Sequence, residues 1–212
     1  MSELIDDLNW RYATKVFDSE QKVGEDHLHE LCEALRLSAS SFGLQCWRFV
    51  LVGQEELKRE LRAHSFNQSQ VEDCSHLFIL CSPIHVGDED VDRFLESHCA
   101  IRSEKREALE GYAKVIKGFI ARMDQKERWN WMDKQIYLAL GTLLTCCAVK
   151  RIDACPIEGF SPKEYDRILK LKEQGLRSVV VCAVGHRSRE DKYGGLPKVR
   201  YPMDEVLIDK KH

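Results

Sequence analysis

Three basic clusters could hold an anion: Arg11-Tyr12-Ala13-Thr14-Lys15, Lys150-Arg151 and Lys198-Val199-Arg200. Guanidinium and ammonium groups bind phosphate through charge-assisted hydrogen bonds, arginine often bidentately. Each cluster alone is equally compatible with a solvated face. Lys150-Arg151 closes a long apolar run and suits the negative end of a helix dipole. The other two lie in non-repetitive segments at opposite ends of the chain. If they converge, they form an anion site without a glycine-rich loop. The sequence has no Gly-x-Gly-x-x-Gly after a strand, no Walker loop, no His-Glu-x-x-His and no Gly-x-Ser-x-Gly. Its nine cysteines are an odd number without a Cys-x-x-Cys pair. They read as reduced structural thiols, and no metal site is expected.

The elements that must position these residues are legible from periodicity. Residues 3–10 read as a short helix behind Ser2, and residues 25–37 as a helix with Leu28, Leu31, Cys32 and Leu35 on one face. A Ser/Gly loop, 38–45, leads to a buried strand over 47–52, with Trp47 and Phe49 as core residues. A charged helix at 54–64 and a strand at 76–81 follow. Residues 86–123 form a helical excursion whose sparse apolar content suits partial packing or a partner chain. Residues 130–149 are apolar all round from Ile136, the mark of a core or subunit-interface helix. Residues 152–158 are a connection or strand. Ser161-Pro162-Lys163-Glu164 starts a helix that ends before Gly175. A strand at 177–184 precedes an irregular tail, 185–212. The expected fold class is α+β: a small sheet flanked by helices.

Four blocks, in order and in register, resemble the FMN-dependent nitroreductase family. They are Arg11-Tyr-Ala-Thr-Lys15-x-Phe17-Asp18; Ser38-x-Ser40-Ser41-x-x-x-Gln45-x-Trp47-x-Phe49; Asp153-Ala-Cys-Pro156-Ile157-Glu158-Gly159-Phe160; and Val184-Gly185-His186 with Leu196-Pro197-Lys198-x-Arg200. The likeness spans residues 9 to about 202, and is strongest to bacterial oxygen-insensitive NAD(P)H nitroreductases and dihydropteridine reductases.

The resemblance implies a mainly antiparallel central sheet, an intertwined homodimer with FMN at the subunit interface, and NADH or NADPH as co-substrate. Arg11, Lys198 and Arg200 would hold the FMN phosphate, beside Tyr12 and Ala13. Lys15 and Asn67 would lie at the pyrimidine end of the ring, where a cation offsets negative charge. Ser40 and Ser41 would bond the ring or ribityl chain. Pro156, Ile157, Glu158 and Gly159 would run along one flavin face, with a backbone N–H near Glu158 reaching N5. Glu158, Phe42 and Phe119 would meet the substrate. The implied chemistry is ping-pong, two-electron reduction of nitroaromatics, quinones or pterin-like acceptors. No side-chain acid or base is required. The alternatives are a flavin reductase using free flavin, and a flavin carrier or sensor without turnover. Cys46 stands where the family commonly has proline, Gly43 where it often has asparagine, and Gln70 where a second lysine is expected.

Composition sets the outer limits. A chain of 212 residues suits one domain at roughly 150 residues each, here a single FMN-binding unit over 1–212. The net charge of −3 argues against a nucleic-acid partner but not against a local cationic pocket. The longest apolar run, 136–149, falls short of the ~20 residues of a bilayer span. The N-terminus lacks the basic start and apolar core of a signal peptide, so a cytoplasmic location without membrane association is expected.

Overall fold

The computed structural model describes residues 2–210. In chain order the elements are α1 (Glu3–Trp10), α2 (Glu25–Arg36), β1 (Arg48–Val52), α3 (Glu55–Ala63), α4 (Ser69–Asp73), β2 (His76–Pro83), α5 (Asp88–Arg102), α6 (Glu110–Ala121), α7 (Gln125–Val149), β3 (Asp153–Ile157), α8 (Pro162–Ile168), β4 (Leu176–Gly185) and α9 (Met203–Val206). The strands form one antiparallel sheet in the order β1-β2-β4-β3. This is the α+β layer fold expected from the sequence.

Side-chain alternation along the two central strands builds two cores. Phe78, Leu80, Val180, Cys182 and Val184 face α2 and α7. Leu77, Ile79, Cys81, Val181 and Ala183 face the side closed by Leu61, Val71 and Tyr165. Both faces of β2 and β4 are therefore dry, which is why these strands read as continuous apolar runs. Most of the cysteines sit in these cores as free thiols, their ionisation opposed by burial.

Several elements differ from expectation. The strand expected to be buried over 47–52 is an edge strand: Arg48 is exposed and only Val52 is fully covered. Its apolar composition reflects one packed face: Trp47 is a core residue as expected, whereas Phe49 is only partly buried against that core. The excursion is two helices broken at Ser103, which takes a left-handed φ of 56°. They build a third core from Val91, Leu95, Ile116 and Ile120 with Leu44 and Met132. Sparse apolar content thus suffices for packing, while Ile101 and Val115 stay exposed. α7 begins at Gln125, earlier than its apolar run, because Asp124 and Glu127 form a reciprocal capping box. α8 stops at Ile168, and Lys170 turns left-handed before a 3-10 turn leads to Gly175. Ser2 and Ser161 occupy cap positions, yet neither side chain makes the capping bond.

The two chain ends meet at the open edge of β3. Ala13 bridges Ala154 in parallel, and Phe17 bridges Arg187. Gly185 permits this crossing: a Cβ there would lie 2.9 Å from Phe17 Cδ1 and 3.0 Å from the Ser75 nitrogen.

Candidate functional site

Beyond α1 the chain runs extended along β3 and meets the tail after β4. Between them lies a cleft of about 700 Å³ lined by Arg11, Tyr12, Ala13 and Lys15 from one end and Tyr193 to Arg200 from the other. The expected convergence of the first and last basic clusters is present. Among the described residues no carboxylate pairs with Arg11, Lys15, Lys198 or Arg200, although thirteen ion pairs form elsewhere. Lys198 Nζ donates to the carbonyl of Arg11. Burial, then Arg11 and Arg200, push the Lys198 ammonium below its ordinary value. Cations collected without counter-ions suit an anion of the size and charge of a phosphate monoester.

Two carboxylates missed by the sequence reading hold this arrangement. Asp191 accepts from the N–H groups of Lys15 at 2.7 Å, Val16 at 3.0 Å and Tyr193 at 3.0 Å, tying the tail to the N-terminal segment. Burial opposes its charge, but these donors prevail and keep it below the ordinary carboxyl value. Asp153, 5% exposed, accepts from the Arg187 N–H at 2.8 Å, Arg187 Nε at 2.7 Å and Thr14 Oγ1 at 3.3 Å. The Arg187 guanidinium lies 4.2 Å from the ring centre of Trp10 and 4.6 Å from that of Tyr12. Burial, then Asp191, raises the Tyr12 phenol far above its ordinary value, so it stays neutral. The available signal is Asp153, at the head of the Asp153–Phe160 block, and an arginine directly after Gly185-His186.

Lys150 and Arg151 do not join the cleft. Lys150 pairs with Glu30, while Arg151 pairs with Asp7 at 2.6 Å and stacks on Trp10 at 5.0 Å. They fasten the end of α7 to α2 and α1, a structural role compatible with the helix-end reading.

The remaining expected site residues form two further groups. Pro156 and Ile157 end β3, followed by Glu158 and Gly159. Gln68 Nε2 donates to the Gly159 carbonyl at 2.7 Å, which places the 66–68 turn against this loop. Asn67 sits there with φ 56° and an exposed side chain. Tyr137 Oη donates to Glu158 Oε1 at 2.5 Å. Lys15 lies close enough to Cys155 to favour its thiolate, although burial dominates and raises that thiol.

Ser40, Ser41 and Phe42 stand elsewhere, beside the excursion. Ser41 N–H donates to Gln135 Oε1 at 2.9 Å, and Ser40 Oγ accepts from the Gln45 N–H at 3.0 Å. Phe42 packs edge-on against Phe119 at 5.3 Å and Tyr112 at 6.3 Å. Phe42 and Tyr112 also line a separate cavity of about 540 Å³. A single chain therefore brings the cationic residues together but does not add the serine loop or Phe119 to their cleft.

The fold is that of the nitroreductase-like proteins. A nitroreductase-like protein from Streptococcus mutans superposes with a TM-score of 0.85 at 19% identity, covering 97% of each chain. A chain from Exiguobacterium sibiricum, described as a nitroreductase in complex with FMN, gives 0.83 at 19% identity over 99% of this chain and 98% of that one. The protein belongs to the nitroreductase family, whose model matches residues 8–186. The oxygen-insensitive NAD(P)H nitroreductase of Salmonella typhimurium is 32% identical over 94% of this chain and 95% of its own. The major NAD(P)H-flavin oxidoreductase of Aliivibrio fischeri is 32% identical over 96% and 97%.

Proposed function

We propose that the protein is an FMN-dependent NAD(P)H oxidoreductase that reduces flat, electron-poor small molecules by two electrons. The observation that carries this reading is the cleft that gathers Arg11, Lys15, Lys198 and Arg200 with no carboxylate paired to them among the described residues, in a chain whose full-length relatives are named NAD(P)H nitroreductase and NAD(P)H-flavin oxidoreductase.

The residues present fit FMN. Arg11, Lys198 and Arg200 hold its phosphate. Tyr12 and Ala13 line the same cleft, and Lys15 with Asn67 would serve the pyrimidine end. Pro156 to Gly159 support one ring face. FMN, when bound, would supply the hydride chemistry between NADH or NADPH and the acceptor. The protein's part is to orient the ring and exclude one face from substrate, with Glu158 placed at the donor.

The displaced position of Ser40, Ser41, Phe42 and Phe119 supports a homodimer in which these residues complete a partner's site. So does the exposed face of α7, where Leu138, Gly141, Thr142, Thr145, Cys146 and Val149 form a shallow apolar hollow. Apolar tail residues such as Val199, Tyr201 and Ile208 are uncovered as well. The whole chain acts as one FMN-binding unit in the cytoplasm; no helix among the described residues is long and apolar enough to cross a membrane.

The test is direct. The purified protein is expected to be yellow, to elute at twice the chain mass, and to bleach anaerobically with NAD(P)H. Colour should return with nitrofurazone or menadione. A protein that refuses FMN refutes the reading.

A further inference from the structure

Glu158 directly follows β3 with an exposed side chain whose orientation the strand does not fix. Its direction comes from Tyr137 on α7, which donates to Oε1 at 2.5 Å. The loop's backbone is pinned separately: Gln68 Nε2 donates to the Gly159 carbonyl at 2.7 Å, and the Ser161 N–H donates to the His64 carbonyl at 2.8 Å. Burial, then the hydrogen bond to Glu158, push the Tyr137 phenol up to about 12. It therefore remains a donor throughout the neutral range and never competes as a base. Among the described residues no other donor bonds the Glu158 carboxylate, so Oε2 is an oriented acceptor with no partner.

We propose that Tyr137 is a positioning residue that presets Glu158 to accept a hydrogen bond from the carboxamide of the incoming nicotinamide. The inference rests on the proposed function, which puts loop 156–159 beside the flavin. A carboxylate held this way selects a hydride donor bearing an N–H₂ group over one bearing a carboxylate. It gives no comparable advantage to a quinone, which offers only acceptors.

The test uses FMN-loaded protein and tetrahydro-NADH, which carries the carboxamide but delivers no hydride, with binding read from the flavin absorbance. Tyr137→Phe should weaken its binding about 3–10-fold, the scale of one partly exposed hydrogen bond to a charged group. The KM for NADH should rise in step, and the KM for menadione should not move. Glu158→Ala should weaken the analogue at least as much, and adding Tyr137→Phe to it should cause no further loss. Unchanged analogue binding in Y137F overturns the role, as does an equal loss in both backgrounds or a shifted menadione KM. A wild-type protein that takes up no FMN overturns the proposed function itself, and this role with it.

Discussion

Arg187→Met tests the bridge that ties the segment after β4 to Asp153 on β3. Methionine keeps the apolar stem but deletes the guanidinium. That group bonds Asp153, whose side chain is 5% exposed, against 22% for its own. Removing one partner of a buried pair costs about 3–5 kcal/mol. Asp153 keeps the Arg187 N–H at 2.8 Å and Thr14 Oγ1 at 3.3 Å, so the low end applies. The stacking on Trp10 and Tyr12 adds about 0.5–1 kcal/mol for each ring. The sum is about 4 kcal/mol, which at about 2–4 °C per kcal/mol for a chain of this size lowers Tm by roughly 8–16 °C. Thermal unfolding followed by circular dichroism at neutral pH reads this directly. Adding Asp153→Asn removes the stranded charge and should recover part of the loss. A fall of less than about 3 °C, or a double variant no more stable than the single one, refutes the bridge.

Four further outcomes are expected. Arg200→Ala should weaken FMN retention about 10-fold, by analogy with losing one charge-assisted contact, as measured by quenching of free-flavin fluorescence. Lys198 has a depressed value in the empty protein, so FMN affinity should fall as alkaline pH strips this proton, and Lys198→Met should flatten that profile. The stability of the empty protein should run the opposite way. The folded state binds this proton less tightly than the unfolded chain, so the destabilisation by Lys198 disappears as pH rises through the depressed value towards 10.5. Gly185→Ala drives a methyl into Phe17 and the Ser75 backbone. It should cost about 1–3 kcal/mol, seen as a Tm several degrees lower.

Local pattern carried most of the fold. Period-two and period-3.6 apolar spacing located the strands and helices, because packing on a dry core leaves that signature. It misread β1 as buried, since one packed face and two produce similar composition in five residues. It missed Asp124, because a cap lies outside the apolar repeat. Part of the site was equally visible: Arg11 and Lys198 could be paired on charge type alone. Asp191, Asp153, Arg187 and Tyr137 could not. Their partners lie 176, 34 and 21 residues away for Asp191–Lys15, Arg187–Asp153 and Tyr137–Glu158, and no spacing rule links positions joined only by tertiary folding.

The tail places Lys198 and Arg200 in one of the least buried stretches of the chain, with Val199 89% and Tyr201 77% exposed. The sheet and its two cores are complete by Gly185. A polypeptide nicked between Tyr193 and Lys198 would keep the Arg187 and Asp191 bridges to Asp153 and Lys15, yet lack two of the four cations. Colour would then report the integrity of the molecule's last segment, independently of whether its centre is sound. If Lys198 and Arg200 hold flavin as proposed, a clipped copy would be a folded shell that retains it poorly.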